Sequence, residues 1–199
     1  MLRIAFLIVL IGLLSGCGYN SIQSKDEGVK AAWAEVVNQY QRRADLVPNL
    51  VNTVKGYATH EEEVFTQVAQ ARSGLLSAVQ SHDAETMANA NAQMTTALGH
   101  LMVSVEAYPQ LKADQNFIRL QDELTGTENR IAVSRNDYNQ AVNAYNAYIR
   151  QFPAVMTAKV TGAKARKYFT ANAGAEQGPP PVDFSKPAPA TPPPAAKKP

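Results

Sequence analysis

Apolar residues recur along most of this chain at alternating steps of four and three, the spacing that lines one face of an α-helix. Val29, Trp33, Val36 and Tyr40 begin such a seam, and Val47, Leu50, Val54 and Tyr57 continue it. Ser24 and Glu27 are spaced as a capping box, which predicts that the first helix starts at Ser24. Pro48 interrupts the same register. A proline inside a helix removes one hydrogen bond and crowds the preceding turn, at a cost of about 3 kcal/mol. The pattern therefore predicts a kink or short break near Asp45, with Asp45 as a new N-cap.

Three further helices follow by the same reasoning. Thr59 and Glu62 form a second capping box, and Val64, Val68, Ala71, Leu75 and Val79 face inward to about Gln80. Ser81-His82-Asp83 makes a turn, with Asp83 capping a helix whose seam is Met87, Met94, Leu98, Leu101, Val105 and Tyr108. Tyr108-Pro109 disfavours continued helix. The fourth helix is predicted from about Lys112 to Gln151. Its seam runs Phe117, Leu120, Leu124, Thr127, Ile131, Ser134, Tyr138, Ala141, Tyr145, Tyr148 and Phe152, and Phe152-Pro153 ends it. No stretch rich in Val, Ile or Thr alternates with period two. The reading is all-α: an up-and-down four-helix bundle of long, coiled-coil-like amphipathic helices over residues 24–153. Long seams and short turns leave little room for a deep cleft.

The N-terminus has a different pattern. Arg3 precedes an almost unbroken apolar run from Ile4 to Leu14, and Leu14-Ser15-Gly16 leads into Cys17, the single cysteine of the chain. This is the layout of an export signal. The step of small residues into a lone cysteine is similar to a lipoprotein lipobox, which implies a signal peptide over 1–16, lipidation at Cys17 and a tether over 17–23. The alternative is an uncleaved anchor. A helix from Leu2 to Gly16 would reach about 22 Å, short of a hydrocarbon core of about 30 Å. Either form holds the rest of the chain outside the cytoplasm at a membrane. With one cysteine, no disulfide forms within the chain.

The C-terminus has a third composition. Nine of the twelve prolines lie within 178–199, among alanine and lysine. Such a segment cannot bury enough surface to fold, and is read as a disordered tail. Between bundle and tail, residues 154–177 form a basic amphipathic extension. In an up-and-down bundle the fourth helix returns toward the tethered end, so Lys159, Lys164, Arg166 and Lys167 are candidates for contact with an anionic membrane surface. A frayed extension is the competing reading.

Charge and motifs narrow the function. Residues 17–177 carry 15 Lys+Arg against 16 Asp+Glu, a near-neutral mixture that is no footprint for nucleic acid. His60-Glu61-Glu62-Glu63 lacks the second histidine of a zinc-binding His-Glu-x-x-His, and no phosphate loop or nucleophile elbow occurs. No catalytic residue, metal or cofactor is therefore expected. Arg43 is the unusual residue, because it falls on the seam between Tyr40 and Val47, where a charge is costly unless paired. Thr127 and Ser134 interrupt the fourth seam in the same way. A polar layer follows, with Arg43 paired to Asp45, Glu123 or Glu128. It either fixes helix register or binds a ligand.

Longer motifs carry a resemblance. Val29-Lys30-Ala31-Ala32-Trp33 and the run from Gln39 through Arg43-Ala44-Asp45-Leu46-Val47-Pro48 to Val51 closely resemble the first-helix signature of the LemA family. So do Gln115-Asn116-Phe117, Leu120-Gln121-Asp122-Glu123-Leu124, Thr127-Glu128-Asn129-Arg130-Ile131-Ala132, Tyr138-Asn139, Tyr145-Asn146 and Phe152-Pro153. The match covers about residues 19–153. It implies a helical-bundle protein of the bacterial envelope with an N-terminal hydrophobic segment and no catalytic residues to carry over. Many members look anchored by an uncleaved helix, unlike the lipobox here, and the proline-rich tail lies outside the pattern. The expected function is a non-enzymatic, membrane-anchored interaction or scaffold protein whose partners are membrane lipid and an unidentified envelope protein. The runner-up is an adaptor or sensor for an envelope protease or signalling system, binding at the polar layer. By resemblance to lipoprotein sorting rules, Gly18 rather than aspartate after the cysteine implies the periplasmic face of the outer membrane over the inner membrane.

Overall fold

The computed structural model describes residues 2–58 and 60–170, with side chains from Gly18 onward. Cys17, Thr59 and the tail over 178–199 thus lie outside the described side chains. Among the described residues the protein is all helix: α1 (Leu2–Lys55), α2 (Glu62–Ser81), α3 (Ala84–Val105), α4 (Pro109–Lys112), α5 (Gln115–Tyr148) and α6 (Ala154–Thr161). Successive long helices run in opposite directions. Trp33 meets Tyr138 and Tyr57 meets Asp114, so α1 and α5 are antiparallel. Gln67 meets His100, which pairs α2 with α3 in the same sense.

α1 does not start at Ser24, nor does it break near Asp45. It is one helix of 54 residues that passes through both Ser24 and Pro48, about 80 Å at 1.5 Å per residue. Ser24 cannot act as an N-cap, because the turn before it is already helical. Pro48 is tolerated for a tertiary reason. Its missing N–H orphans the carbonyl of Ala44, and Nε of Arg72 on α2 donates to that carbonyl at 2.8 Å. Asp45 is exposed and accepts from Gln41.

The other boundaries follow from capping. Glu61 precedes α2 without a side-chain cap bond, and Thr59 of the expected Thr59–Glu62 box lies outside the described residues. Asp83 does cap α3, accepting from the backbone of Thr86. The fourth long helix begins at Gln115 rather than Lys112, because Asp114 accepts from the N–H groups of Asn116 and Phe117. Pro109 opens the short α4 before it.

Burial follows the predicted seams, with three departures. In α2 the buried residues are Phe65, Val68, Leu75 and Ala78, while Val64, Ala71 and Val79 are only half-buried, because the stripe turns by one position at each end of the helix. Tyr57 is 40% exposed and donates to Asp114 at 2.8 Å, while Ala58 takes the buried place. In α5 the register steps by four after Tyr138: Val142, Tyr145 and Ile149 are buried, whereas Ala141 and Tyr148 are half-buried and Phe152 is 84% exposed. Two successive steps near four are a stutter, which rotates the apolar stripe around the helix.

The helices pack as two antiparallel pairs, α1–α5 and α2–α3. The pairs join closely along α1 and α2 and loosely along α3 and α5. With 20 and 22 residues, α2 and α3 cover only the distal part of α1. The part nearer the N-terminus is covered by α6 and by residues 163–170, which fold back as a strap. Asn146 donates to the carbonyl of Arg166 at 2.9 Å and accepts from its N–H at 2.8 Å. Asn139 makes the same pair of bonds with Phe169, both at 2.9 Å. The spacings agree: seven helical residues rise about 10.5 Å, and three residues of extended chain span about 10 Å. Phe169 then stacks on Trp33 with centroids 5.5 Å apart and meets Tyr138 edge-on at 5.3 Å.

Candidate functional site

Arg43 is brought to the centre of the bundle by its seam position on α1, and only 4% of it is exposed. Its Nη1 donates to Oδ1 of Asn91 at 2.8 Å and its Nη2 to Oγ1 of Thr95 at 3.0 Å, both on α3. The guanidinium also forms an ion pair with Glu128 of α5. Nδ2 of Asn91 donates to Oε1 of Glu128 at 3.3 Å, which closes a ring through three helices. Burial pushes the Arg43 guanidinium down to about 10, so it stays charged at neutral pH.

Of the expected partners, the structure selects Glu128. Asp45 points to solvent and Glu123 is half-buried, and neither joins the ring. Thr127 and Ser134 are buried but donate to carbonyls of their own helix, those of Leu124 and Ile131. They are satisfied locally and do not extend the polar layer. Asn91 and Thr95 are the residues that sequence reasoning missed. Their signal was a gap: the α3 seam jumps from Met87 to Met94, and the skipped position is Asn91.

Arg43, Thr95 and Glu128 of the ring line a cleft of about 260 Å³ between α3 and α5, where the pairs separate. Leu98, Met102 and Leu124 give it apolar walls, and Gly99 leaves one wall low. The cleft is small and open, in keeping with the expectation that long seams and short turns leave little room for a deep one. Hydroxyls around it are committed: Thr95 donates to the carbonyl of Asn91 and Thr125 to that of Gln121. No activated nucleophile is therefore paired with a base here. A charged pair beneath apolar walls suits recognition of a mixed polar and apolar group. Among the described residues, no group of three His, Cys, Asp or Glu is placed to hold a metal ion.

The four basic residues of the C-terminal extension separate. Arg166 is bound by Asp26, with Nη2 at 2.6 Å and Nε at 3.1 Å from Oδ1. Lys167 belongs to the strap, where its carbonyl accepts from Tyr138. Lys159 and Lys164 remain exposed. No helix among the described residues is long and apolar enough to cross a membrane.

Comparisons with known proteins add relatives to this geometry. The chain is similar to the magnetosome protein MamQ 2 of Paramagnetospirillum magneticum, 26% identical over 174 residues, covering 76% of this chain and 64% of that one. It resembles the magnetosome protein MamQ of Magnetospirillum gryphiswaldense at 25% identity with the same coverage. Protein LemA of Metamycoplasma hominis is 26% identical over 133 residues, 67% of this chain and 57% of its own. The chain thus spans less than two-thirds of the length of each of these relatives. A family model matches residues 32–184, which takes in the Arg43 ring, α1 from Ala32 onward, α2 to α6, the strap and, against expectation, the first residues of the proline-rich segment, and on that match the chain belongs to the LemA family.

Proposed function

We propose that the protein is a non-enzymatic, membrane-anchored interaction or scaffold protein of the bacterial envelope. The observation that supports this most is α1, one helix of 54 residues that leads from the N-terminal apolar run to the distal end of the bundle. A tether at or before Cys17 makes that helix a rigid stalk. It presents the distal turns of α2, α3 and α5 tens of ångströms from the lipid, at 1.5 Å per residue. Lipidation at Cys17 is the preferred anchor, and delivery to the periplasmic face of the outer membrane the preferred address. A fatty-acid probe should label the wild type and not Cys17→Ser; equal labelling would remove lipidation and leave the uncleaved anchor.

The α3–α5 cleft favours a second reading, an adaptor or sensor whose partner inserts a side chain over the Arg43 ring. Crosslinking in intact cells followed by affinity capture separates the two. A reproducible protein partner that is lost in Gly99→Trp, which fills the cleft, supports the adaptor. A partner retained in that variant supports the scaffold. Capture of no partner by either chain would count against both.

A further inference from the structure

The small helix α6 is built with its residues reversed. Ala154 and Ala158 are buried against α1, while Met156 is 61% and Val160 89% exposed. Phe152, in the turn before it, is 84% exposed. Residues four apart share a helix face, so Met156 and Val160 form one apolar line, and Phe152 stands exposed in the turn that leads into the helix. Single exposed apolar residues are ordinary; two in line on a helix that buries alanines, with a third in the turn before it, are not. Gly18 permits the arrangement, since a Cβ there would stand 3.2 Å from Oγ1 of Thr157.

The line lies where the chain leaves its apolar segment. The apolar segment closes at Gly16, and Gly18, about one turn before Ile22 on α1, lies beside Ala154 and Thr157 of α6. Ile22 shares a cleft with Thr161 and Gly162 at the end of α6. A lipidated Cys17 would place its acyl chains one residue before Gly18. Either anchor therefore sets α6 at the boundary between headgroups and acyl chains. Charge agrees with this. Residues 1–25 and 138–175 contain no Asp or Glu, and the second stretch carries five basic residues. Asp26, at the same level, is neutralised by Arg166. The distal end instead holds Glu61, Glu62, Glu63, Glu106 and Asp114 against Lys55 and Lys112.

We propose that Phe152, Met156 and Val160 seat in the headgroup–acyl boundary of an anionic bilayer, with Lys159 and Lys164 against lipid phosphates. This footing fixes the tilt and rotation of the stalk. Arg166 is excluded from it because Asp26 holds its guanidinium, and Lys167 sits on the strap beside Tyr138 rather than on α6. The inference rests on the anchoring proposed above.

Tryptophan placed on the stripe tests it. The full chain is reconstituted in vesicles of anionic lipid brominated near the top of the acyl chain, as wild type, Phe152→Trp, Val160→Trp and Val103→Trp. Val103 is 72% exposed on α3 and serves as the distal control. After subtraction of the Trp33 signal, quenching at 152 and 160 should exceed that at 103 by about threefold, as for a side chain buried at the acyl boundary. Lys159→Glu with Lys164→Glu should weaken it in anionic vesicles more than in zwitterionic ones. Equal quenching at 160 and 103, in chains that float with the vesicles, would overturn the footing and leave the anchor intact. Chains that do not float would overturn both.

Discussion

Arg72 shows how one side chain can decide the shape of a helix. Pro48 leaves the carbonyl of Ala44 without its helical donor, and Ala44 is fully buried. A buried carbonyl with no partner costs about 1–3 kcal/mol. Arg72→Met should therefore lower stability by roughly that amount. Pro48→Ala restores the backbone donor, so in its background the same Arg72→Met change should cost about 1 kcal/mol less. Thermal unfolding of the four detergent-solubilised chains measures the coupling; strict additivity would show that Arg72 acts elsewhere. Tyr40 presents the reverse case. Its hydroxyl is buried with no hydrogen-bond partner of good geometry, so Tyr40→Phe should leave the melting temperature unchanged or raise it.

At the scale of the element, the strap is the feature with the clearest switch. Burial pushes the Asp26 carboxyl up, but bonds from Arg166 and Lys30 outweigh that and hold it below its ordinary 3.8. A carboxylate depressed in the folded state stabilises that state above its unfolded value and loses the contribution as pH falls through the folded one. The Arg166 end of the strap should accordingly stay seated at neutral pH and loosen only below about pH 3.8. Trp33 reports this, because Phe169 stacks on it. Its emission should shift in that acid range in the wild type, and Asp26→Asn should show part of the shift already at neutral pH. An unchanged acid titration in Asp26→Asn would mean that the amide bonds from Asn139 and Asn146 hold the strap alone.

Over the whole molecule, the Arg43 ring ties the α2–α3 pair to the α1–α5 pair on the side where backbones stand apart. Its two charges are unequally exposed, the Arg43 side chain 5% and the Glu128 side chain 44%. Removing the buried cation lets Glu128 turn to water, so Arg43→Met should cost only the lost hydrogen bonds, about 1–3 kcal/mol. Removing the carboxylate strands a buried guanidinium, so Glu128→Gln should cost about 3–5 kcal/mol. Equal costs in thermal unfolding would show that Asn91 and Thr95 suffice to hold the charge.

The all-α class, the α3 seam, the Val68 and Leu75 positions of α2, the Asp83 cap and the costly position of Arg43 were legible in the sequence alone. Each follows from spacing within a single helix, where period and capping act over a few residues. Choosing Glu128 over Asp45 or Glu123, and adding Asn91 and Thr95, needed the packing of three helices. The same holds for the course of α1 through Pro48, which depends on a donor from α2, 24 positions away in the chain. The stutter after Tyr138 and the exposure of Phe152 depend on what covers α5, and the strap that covers it arrives from residues 163–170. Local pattern states which faces are apolar; only the tertiary structure decides which neighbour each face meets, because burial is a property of contacts between segments remote in sequence.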